Sequence, residues 1–321
     1  MCRFVCAGVI YQTLLFGHFR FGGAFFTENR TMIGLKRGTV ALFPHETEWE
    51  HEAERTIEKL KSILGETAVD IRHVGSTAVK SIYAKPIIDI AVGVNNFDEI
   101  LEKKLLLFEN GFYFRECNIE NQLLFACGSL YDGTGEEQTH FIHIVIHGES
   151  EWQNYLLFRD YLNENISAAK EYEALKLKLA KECPSDSGRE HYLSGKHGFI
   201  RTVIRKALVE KYLGKTVKIK IDRPVGHIHK KEKYTIVYPV NYGYIPGVYG
   251  GDGEEFDVYL LGIGEPVTEY TCKIIGAVFR KNDVEDKLIA APEGMKFTAD
   301  EAYKIIKFQE QWYDTEIKMC E

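Results

Sequence analysis

Three features that this 321-residue chain lacks narrow what it can be. It has no excess of positive charge, and its net charge of −7 argues against a general nucleic-acid-binding surface. Its seven cysteines are scattered without a close pair or a metal-ligand spacing, which is typical of reduced thiols in a cytoplasmic protein. The apolar run at residues 4–16 is interrupted by Gln12 and is too short to span a membrane. We therefore predict a cytoplasmic protein that binds neither nucleic acid nor membranes.

The length and the hydrophobic content predict more than one domain. A chain of 321 residues is long enough for two domains, and 45% hydrophobic residues are ample for two cores. Gly214 follows a long helical pattern, so we predict one domain at 32–213 and another at 214–321. Residues 1–31 contain no acidic side chain before Glu28 and differ in kind from the rest of the chain. We expect them to be a disordered or non-native extension that precedes the first domain.

The periodicity of apolar residues predicts an α+β fold. In the first domain, strands are predicted at 69–74, 86–94, 112–117, 123–126 and 141–146, and helices at 46–64, 97–110, 149–163, 168–181 and 190–213. In the second, strands are predicted at 217–221, 235–238, 257–261 and 273–280, with a helix at 298–313. This order indicates a mixed sheet with a helical bundle, followed by a small β-barrel with one C-terminal helix.

Two acidic segments of the second domain predict a metal site. Asp252, Glu254 and Asp257 follow a glycine-rich turn, and Asp283, Glu285 and Asp286 precede Lys287. On an extended strand Asp252 and Glu254 would point the same way. Carboxylates that crowd together resist joint ionisation unless a cation lies among them, and oxygen ligands suit Mg²⁺. The alternative from spacing alone is a solvated acidic loop.

The sequence around the first segment resembles the family I soluble inorganic pyrophosphatases. The resemblance covers residues 217–317 and is strongest at 238–257, YPVNYGYIPGVYGGDGEEFD, and at 276–292. It implies an OB-like barrel that hydrolyses pyrophosphate, or another small phosphoanhydride, with Mg²⁺. It further implies metal ligands at Asp252, Asp257, Asp283 and either Glu285 or Asp286, and of these last two we choose Asp286. It also implies catalytic roles for Tyr242, Glu254, Lys231 and Lys287, with Glu254 as the base. Lys230 is an alternative to Lys231.

The chain departs from that pattern at several positions. Glu254 stands where the family has an aspartate, so the base would reach about one methylene further. The connection from Gly226 to Tyr238 is short, and an arginine of that region has no counterpart unless Arg223 or Arg280 serves. A Tyr-Lys pair near the end has become Trp312 and Tyr313, which removes one phosphate-binding cation.

The first domain contains a second candidate site. Gly75 and Ser76 form a turn before a short helix, where backbone N–H groups suit phosphate, and Lys85 precedes a strand that carries Asp89. A capped helix beside a strand-end aspartate is the structural alternative.

Residues 33–208 resemble the GrpB family, whose fold is similar to that of the nucleotidyltransferases. The motifs that carry the resemblance are HVGSTAV at 73–79, KPIIDI at 85–90, HFIHIVI at 140–146 and FRDYL at 158–162. The resemblance implies phosphate or nucleotide binding by Gly75, Ser76, Lys85, Asp89 and His143. Active transferases of this fold carry an Asp-x-Asp pair, whereas the partner of Asp89 here is Ala91.

The leading interpretation is a diphosphatase in the carboxy-terminal domain, joined to a nucleotidyltransferase-like domain of unspecified substrate. One alternative is a protein whose two domains bind nucleotide or phosphate without turnover. Another is a transferase whose pyrophosphate product is removed by the second domain. The oligomeric state stays open.

Overall fold

The structure is a computed structural model that describes residues 33–116, 119, 121–128, 137–182, 189–231 and 234–320. For residues 189, 231 and 234 it describes the backbone alone. The expectation for residues 1–31 lies outside the described residues.

The first half of the chain builds a mixed sheet and then three long helices. Its elements are β1 (Leu35–Lys36), α1 (Thr47–Leu64), β2 (Ala68–Val74), β3 (Ile88–Val94), α2 (Asp98–Glu102), α3 (Lys104–Glu109), β4 (Tyr113–Arg115), β5 (Gln122–Cys127), β6 (Glu137–Gln138), β7 (His140–Ile146), α4 (Ser150–Glu164), α5 (Ile166–Glu182) and α6 (Arg189–Tyr212). The sheet order is β2-β3-β7-β5-β4, with β3 and β7 parallel and the other pairs antiparallel. A separate short ribbon pairs β1 with β6.

Two apolar layers hold this half together. Helix α1 places Trp49 and Leu60, both fully buried, against Ile90 and Ile144 of the sheet. The helices α4, α5 and α6 enclose a second cluster around Phe158 and Tyr172. Burial of such side chains stabilises the fold by about 25 cal/mol for each Å² of apolar surface removed from water.

The second half forms a closed barrel with one covering helix. Its elements are β8 (Thr216–Arg223), β9 (Ile228–Lys231), β10 (Tyr234–Val237), β11 (Asn241–Tyr249), β12 (Glu255–Leu260), β13 (Glu269–Arg280), β14 (Lys287–Ala291), α7 (Ala299–Glu310) and β15 (Thr315–Met319). The strands follow the order β14-β12-β11-β8-β13, and pairing of β13 with β14 closes the ring. Strand β15 adds to the outside of β13, and β9 and β10 form a separate hairpin.

Local chemistry accounts for several of these elements. Helix α7 begins with a capping box, because the Thr298 hydroxyl accepts from the Glu301 N–H and the Glu301 carboxylate accepts from the Thr298 N–H. Gly243 in β11 permits close approach of β8, since a Cβ there would lie 1.8 Å from the Lys220 carbonyl oxygen.

The predicted α+β fold is confirmed in both halves. Several local expectations were wrong or incomplete. The helix predicted at 97–110 is divided into α2 and α3 at Lys103, and strands that were not predicted form at 228–231, 241–249, 287–291 and 315–319. The two-domain boundary at Gly214 stays a prediction. In the part of the chain that the structure describes, no helix combines the length and the apolar character that crossing a membrane requires.

Candidate functional site

The side chains of Tyr242, Asp257 and Lys287, on three neighbouring strands of the barrel, meet one another. Strand β12 pairs with β11 on one side and with β14 on the other, which brings Tyr242, Asp257 and Lys287 together. The Lys287 ammonium donates to Asp257 Oδ2 at 2.6 Å and to the Tyr242 hydroxyl at 2.5 Å, and that hydroxyl donates to Asp257 Oδ2. Lys287 is buried, whereas the Asp257 side chain keeps 21% of its surface exposed. The carboxylate is therefore accessible from outside while its lysine partner is held within the protein.

The acidic loop before β14 joins the same cluster. Glu285 Oε1 accepts from Lys287 at 2.8 Å, and Glu285 Oε2 accepts from Arg280 Nη1 at 2.8 Å. Asp283 Oδ2 also accepts from Arg280 Nη1, at 3.2 Å. Arg280 is buried and binds Glu310 through Nε at 2.9 Å and Nη2 at 2.6 Å. Although burial acts to lower the pKa of Arg280, the hydrogen bonds and charge of Glu310 raise it well above its ordinary value.

This cluster, defined here as Asp257, Asp283, Glu285 and Glu310 with Arg280 and Lys287, contains more negative than positive groups. Four carboxylates face two cations when all are ionised. Burial and a hydrogen bond to the Asp257 carboxyl raise the pKa of Glu285 above its ordinary value of 4.5. The two facing carboxyls thus favour a shared proton or an added cation.

Asp286, one of the predicted metal ligands, lies apart from this cluster in its contacts. Its side chain is 2% exposed, and Arg205 Nε donates to its Oδ2 at 2.7 Å while Arg205 Nη2 donates to its Oδ1. The Arg280 backbone N–H also donates to Oδ1, at 3.1 Å. Both oxygens are thus engaged by protein donors, because α6 of the first domain places Arg205 beside this loop. The alternative that the sequence left open, Glu285, is the neighbour that faces Asp257.

Asp252 and Glu254 lie in the turn between β11 and β12 and are exposed. The segment is a turn and not an extended strand, because Gly253 adopts a φ of +85° and Asp252 Oδ1 accepts from the Glu254 N–H at 3.1 Å. Asp252 lines a cavity of about 300 Å³ together with first-domain residues, among them Asn121, Glu151 and Asn154. The turn therefore borders the first domain at this cavity, and it also approaches the acidic loop of the cluster, because a Cβ on Gly251 would lie 2.3 Å from the Val284 carbonyl oxygen.

The four predicted metal ligands are consequently not assembled into one group. Across the described ranges, no three His, Cys, Asp or Glu side chains lie close enough together to hold a metal ion. Mg²⁺ needs fewer protein ligands, since it commonly binds one or two carboxylates together with water and substrate phosphates. Asp257 and Glu285 fit a site of that kind, because their carboxyls touch and are partly exposed.

The predicted phosphate-binding lysine is only partly described. The backbone of Lys231 pairs with Tyr234 in the hairpin of β9 and β10, and its side chain lies outside the described part of the chain. Arg223 contacts Tyr242: its guanidinium is 5.1 Å from the Tyr242 ring centroid, and its Nη1 donates to the Tyr238 hydroxyl at 2.9 Å. Of the two arginines suggested by the sequence, Arg223 is thus on the outer side of Tyr242 and Arg280 is inside the cluster.

The candidate site of the first domain centres on Asp89 in β3. The parallel neighbour β7 brings His143 to it, with Nε2 at 3.2 Å from Asp89 Oδ1. The Tyr155 hydroxyl lies 3.0 Å from His143 Nδ1 and donates to Gln122 Oε1 at 2.7 Å. These side chains form a hydrogen-bonded row that fixes the imidazole beside the carboxylate.

Gly75 is required at this site by both its backbone and its surroundings. Its φ is +71°, and a Cβ there would lie 2.4 Å from Asp89 Oδ2. The next residue, Ser76, directs its hydroxyl towards the buried Tyr172 hydroxyl at 3.5 Å. The Gly-Ser turn and Asp89 are therefore in direct contact.

A cavity of about 630 Å³ opens over these residues. Its lining includes Gly75, Ser76, Asp89 and His143 on one side and the basic residues Lys196 and Arg201 of α6 on the other, and Gly251 of the second domain completes its wall. Lys85 and Lys196 lie 4.8 and 4.6 Å from the Tyr192 ring centroid. Behind them, burial and the charge of Lys196 lower the pKa of Lys176 to about 7. This concentration of cations is suited to an anionic ligand.

Sequence reasoning missed Arg205, Tyr155 and Lys176. Arg205 belongs to a helix whose acidic partner is 81 residues further along the chain, and no local pattern joins the two. Lys176 occupies an apolar position of α5, which is the one signal that could have identified it as buried.

Comparisons with known proteins match two different families to two parts of the chain. The GrpB protein family model matches residues 39–206, and the inorganic pyrophosphatase family model matches residues 207–318. Glutamate-rich protein GrpB of Alkalihalophilus pseudofirmus is 36% identical over 178 residues, covering 54% of this chain and 99% of that protein.

Two solved structures are similar to the two parts. The conserved protein GrpB from Enterococcus faecalis is 30% identical with a TM-score of 0.48, over 54% of this chain and 99% of its own. The inorganic pyrophosphatase from Ehrlichia chaffeensis is 19% identical with a TM-score of 0.28, over 33% of this chain and 87% of its own. Since the GrpB model spans more than half of the 321 residues, the chain belongs to the GrpB family, and it carries an inorganic pyrophosphatase domain after the GrpB domain.

Proposed function

We propose that the carboxy-terminal domain hydrolyses inorganic pyrophosphate to two phosphates in the presence of Mg²⁺. The observation that carries the proposal is that buried Lys287 contacts Tyr242, Asp257 and Glu285. The carboxylates of Asp257 and Glu285 remain partly exposed. A preorganised cation beside accessible carboxylates is suited to a phosphoanhydride, because both the substrate and the metal can be bound at one place.

The roles of the residues follow from their chemistry. Asp257 and Glu285 would hold Mg²⁺, which when bound offsets the negative charge of pyrophosphate. Lys287 would supply positive charge beside the phosphate oxygens, and Tyr242, whose hydroxyl donates to Asp257, would hold that carboxylate in place. Glu254 would accept the proton of the attacking water; the water oxygen bonds to one phosphorus, and the bridging P–O bond breaks with its electron pair on the leaving phosphate. Asp252, Asp283, Asp286 and Lys231 stay predicted site residues.

The test is phosphate release by the full-length protein. With Mg²⁺ and pyrophosphate the wild type should release phosphate, and Asp257→Ala should reduce the rate by a factor on the order of 10² or more. Asp300→Ala removes an exposed carboxylate of α7 and serves as the matched control. Equal rates for Asp257→Ala and the wild type would refute the proposal, as would a wild type that releases no phosphate.

A second candidate function is phosphate binding without turnover. The supporting observation is that Arg280 and Lys287 form ion pairs with the carboxylates of this cluster. A group of catalytic metal ions would require the same carboxylates as ligands. Titration calorimetry separates the two: heat of binding with pyrophosphate, and no phosphate after hours with Mg²⁺, would favour the binding module.

For the first domain we propose nucleotide or phosphate binding by Gly75, Ser76, Lys85, Asp89 and His143. The support is the cavity over Asp89 and the lysines that converge on it. A transferase that releases pyrophosphate to the second domain is a further alternative, and mass detection of products from each nucleoside triphosphate with mixed acceptors would test it. A cytoplasmic location, suggested by the scattered cysteines, remains part of this proposal.

A further inference from the structure

A separate cavity lies beside the barrel, between the hairpin of β9 and β10 and the end of α7. Its volume is about 780 Å³, and four aromatic residues, Tyr238, Phe308, Trp312 and Tyr313, belong to its lining together with polar and aliphatic residues. Trp312 is 73% exposed, whereas the rings of Tyr238 and Phe308 pack against each other at 5.1 Å. Aromatic faces of this kind bind planar rings by stacking.

The inner end of this cavity is basic. Arg223 and His229 belong to its lining, and the Arg223 guanidinium lies 5.6 Å from the Tyr238 ring centroid. A cavity with aromatic walls and an arginine at one end is complementary to a ligand that joins a planar ring to an anionic group.

Two contacts connect the cavity to the Lys287 cluster. The ring of Tyr242 lies between two cations, with Arg223 at 5.1 Å and Lys287 at 5.0 Å from its centroid. On the other side Tyr313, which lines the cavity, lies 3.7 Å from the guanidinium of Arg280. An anionic group bound at Arg223 is therefore separated by the Tyr242 ring from a second cation, the ammonium of Lys287.

We propose that this cavity is a subsite for the nucleoside part of a nucleoside diphosphate or triphosphate, whose phosphates extend past Arg223 towards Asp257 and Lys287. The inference rests on the proposed phosphoanhydride hydrolysis and names a substrate class for the same site. Water attacks the terminal phosphorus, the terminal P–O–P bridge breaks, and the electron pair remains on the shortened nucleotide. Water is the co-reactant: one of its protons passes to Glu254 and then to solvent, and the other stays on the released phosphate.

Trp312 offers a direct readout of binding. The chain has three tryptophans, and the other two, Trp49 and Trp152, are 0% and 4% exposed. Collisional quenching by acrylamide should therefore report on Trp312. Millimolar ADP should reduce that quenching in the full-length protein, and inorganic pyrophosphate at the same concentration should reduce it far less, because it has no ring to cover the indole.

Activity gives an independent measurement. With Mg²⁺, Trp312→Ala should lower the ratio of ADP to pyrophosphate turnover at low substrate on the order of tenfold, which corresponds to the loss of one stacked base. Trp312→Phe should restore most of that ratio. Leu105→Ala, which removes an exposed apolar side chain of the first domain, should leave it unchanged.

The outcomes distinguish this inference from the function on which it rests. Protection of Trp312 by ADP without any phosphate release supports the subsite and contradicts the hydrolase. Hydrolysis of pyrophosphate with neither protection by ADP nor any effect of Trp312→Ala on the ratio overturns the subsite alone. Protection of Trp312 that appears on raising the protein concentration without ligand also overturns it, since a second copy of the chain would then cover this face.

Discussion

Arg205 and Asp286 join the two domains through a bidentate contact. The guanidinium on α6 engages both carboxylate oxygens of Asp286, and it also donates to the backbone carbonyl oxygens of Asp283 and Arg280 at 3.1 and 2.9 Å. Gly251 of the acidic turn lies against the same arginine, because a Cβ built on Gly251 would be 3.7 Å from Arg205 Cγ. A residue of the GrpB domain therefore holds the loop that carries Glu285 in the pyrophosphatase domain.

Replacement of Arg205 should reduce stability and activity together. In Arg205→Met the buried Asp286 carboxylate loses its cation, so the free energy of unfolding should fall by about 3–5 kcal/mol. Urea unfolding measures that change, and the rate of phosphate release should fall as the loop shifts. Lys206→Met, on the exposed neighbouring position of α6, is the control. An Arg205→Met protein as stable as the control would show that the ion pair contributes nothing.

Removal of the first domain should have a related effect. A fragment that begins at Gly214 lacks Arg205, whereas one that begins at Arg189 retains α6. We expect the shorter fragment to unfold at lower urea concentration, because Asp286 then has no guanidinium partner. Comparison of the two fragments by circular dichroism tests this, and equal midpoints would contradict it.

Lys287 and Asp257 should behave as a coupled pair. Lys287→Met leaves two carboxylates without their common cation, at a cost of about 3 kcal/mol, and Asp257→Asn alone should also destabilise the fold. The double variant should lose less than the two single losses combined, because the interaction can be removed only once. Chemical unfolding of all four proteins measures the coupling, with Lys304→Met in exposed α7 as the control. Strict additivity would contradict the contact.

Stability should rise with pH because of Lys176. Burial lowers its pKa from 10.5 to about 7 in the folded protein, so between these values the unfolded chain binds more protons than the folded one. The free energy of unfolding should therefore increase with pH in that window, by at most about 1.4 kcal/mol per pH unit. Urea titrations at several pH values should show a smaller rise for Lys176→Met than for Lys178→Met, whose side chain is 72% exposed. Identical pH profiles would contradict the burial of an ammonium group here.

Gly75→Ala should impair ligand binding in the first domain beyond its effect on the backbone. Its φ of +71° and ψ of −167° lie in a region that glycine alone readily adopts, at a cost of about 1–3 kcal/mol for another residue, and a Cβ would also displace Asp89. Gly148→Ala is the matched control, since that glycine has a φ of +81° and no atom lies within 4 Å of the place its Cβ would occupy. Calorimetry with ATP should show weakened binding for Gly75→Ala alone; an equal loss in both variants would assign the effect to the backbone.

Much of the fold could be predicted because the apolar periods of its elements are strong. Helix α1 begins one residue from the predicted start, and β7 begins one residue before its predicted strand. Strand β11 was missed because Gly243, Pro246 and Gly247 are unfavourable in strands, and only pairing with β8 and β12 makes the segment extended.

The candidate sites were predicted unevenly for a similar reason. Contact of Asp89 with Gly75, and of Asp257 with Lys287, follows from short motifs on adjacent strands. The place of Asp252 beside residues of α4, and the use of Asp286 as the ion-pair partner of Arg205, depend on how the first domain packs against the barrel.

The sequence motifs, through their resemblance to known proteins, were enough to identify two families, and they predicted the polar groups that could meet a phosphate. Which acids face which cations was decided by the tertiary structure alone. Electrostatic partners are chosen by distance and burial in three dimensions, and a buried carboxylate takes the nearest cation that packing supplies, here an arginine 81 residues away.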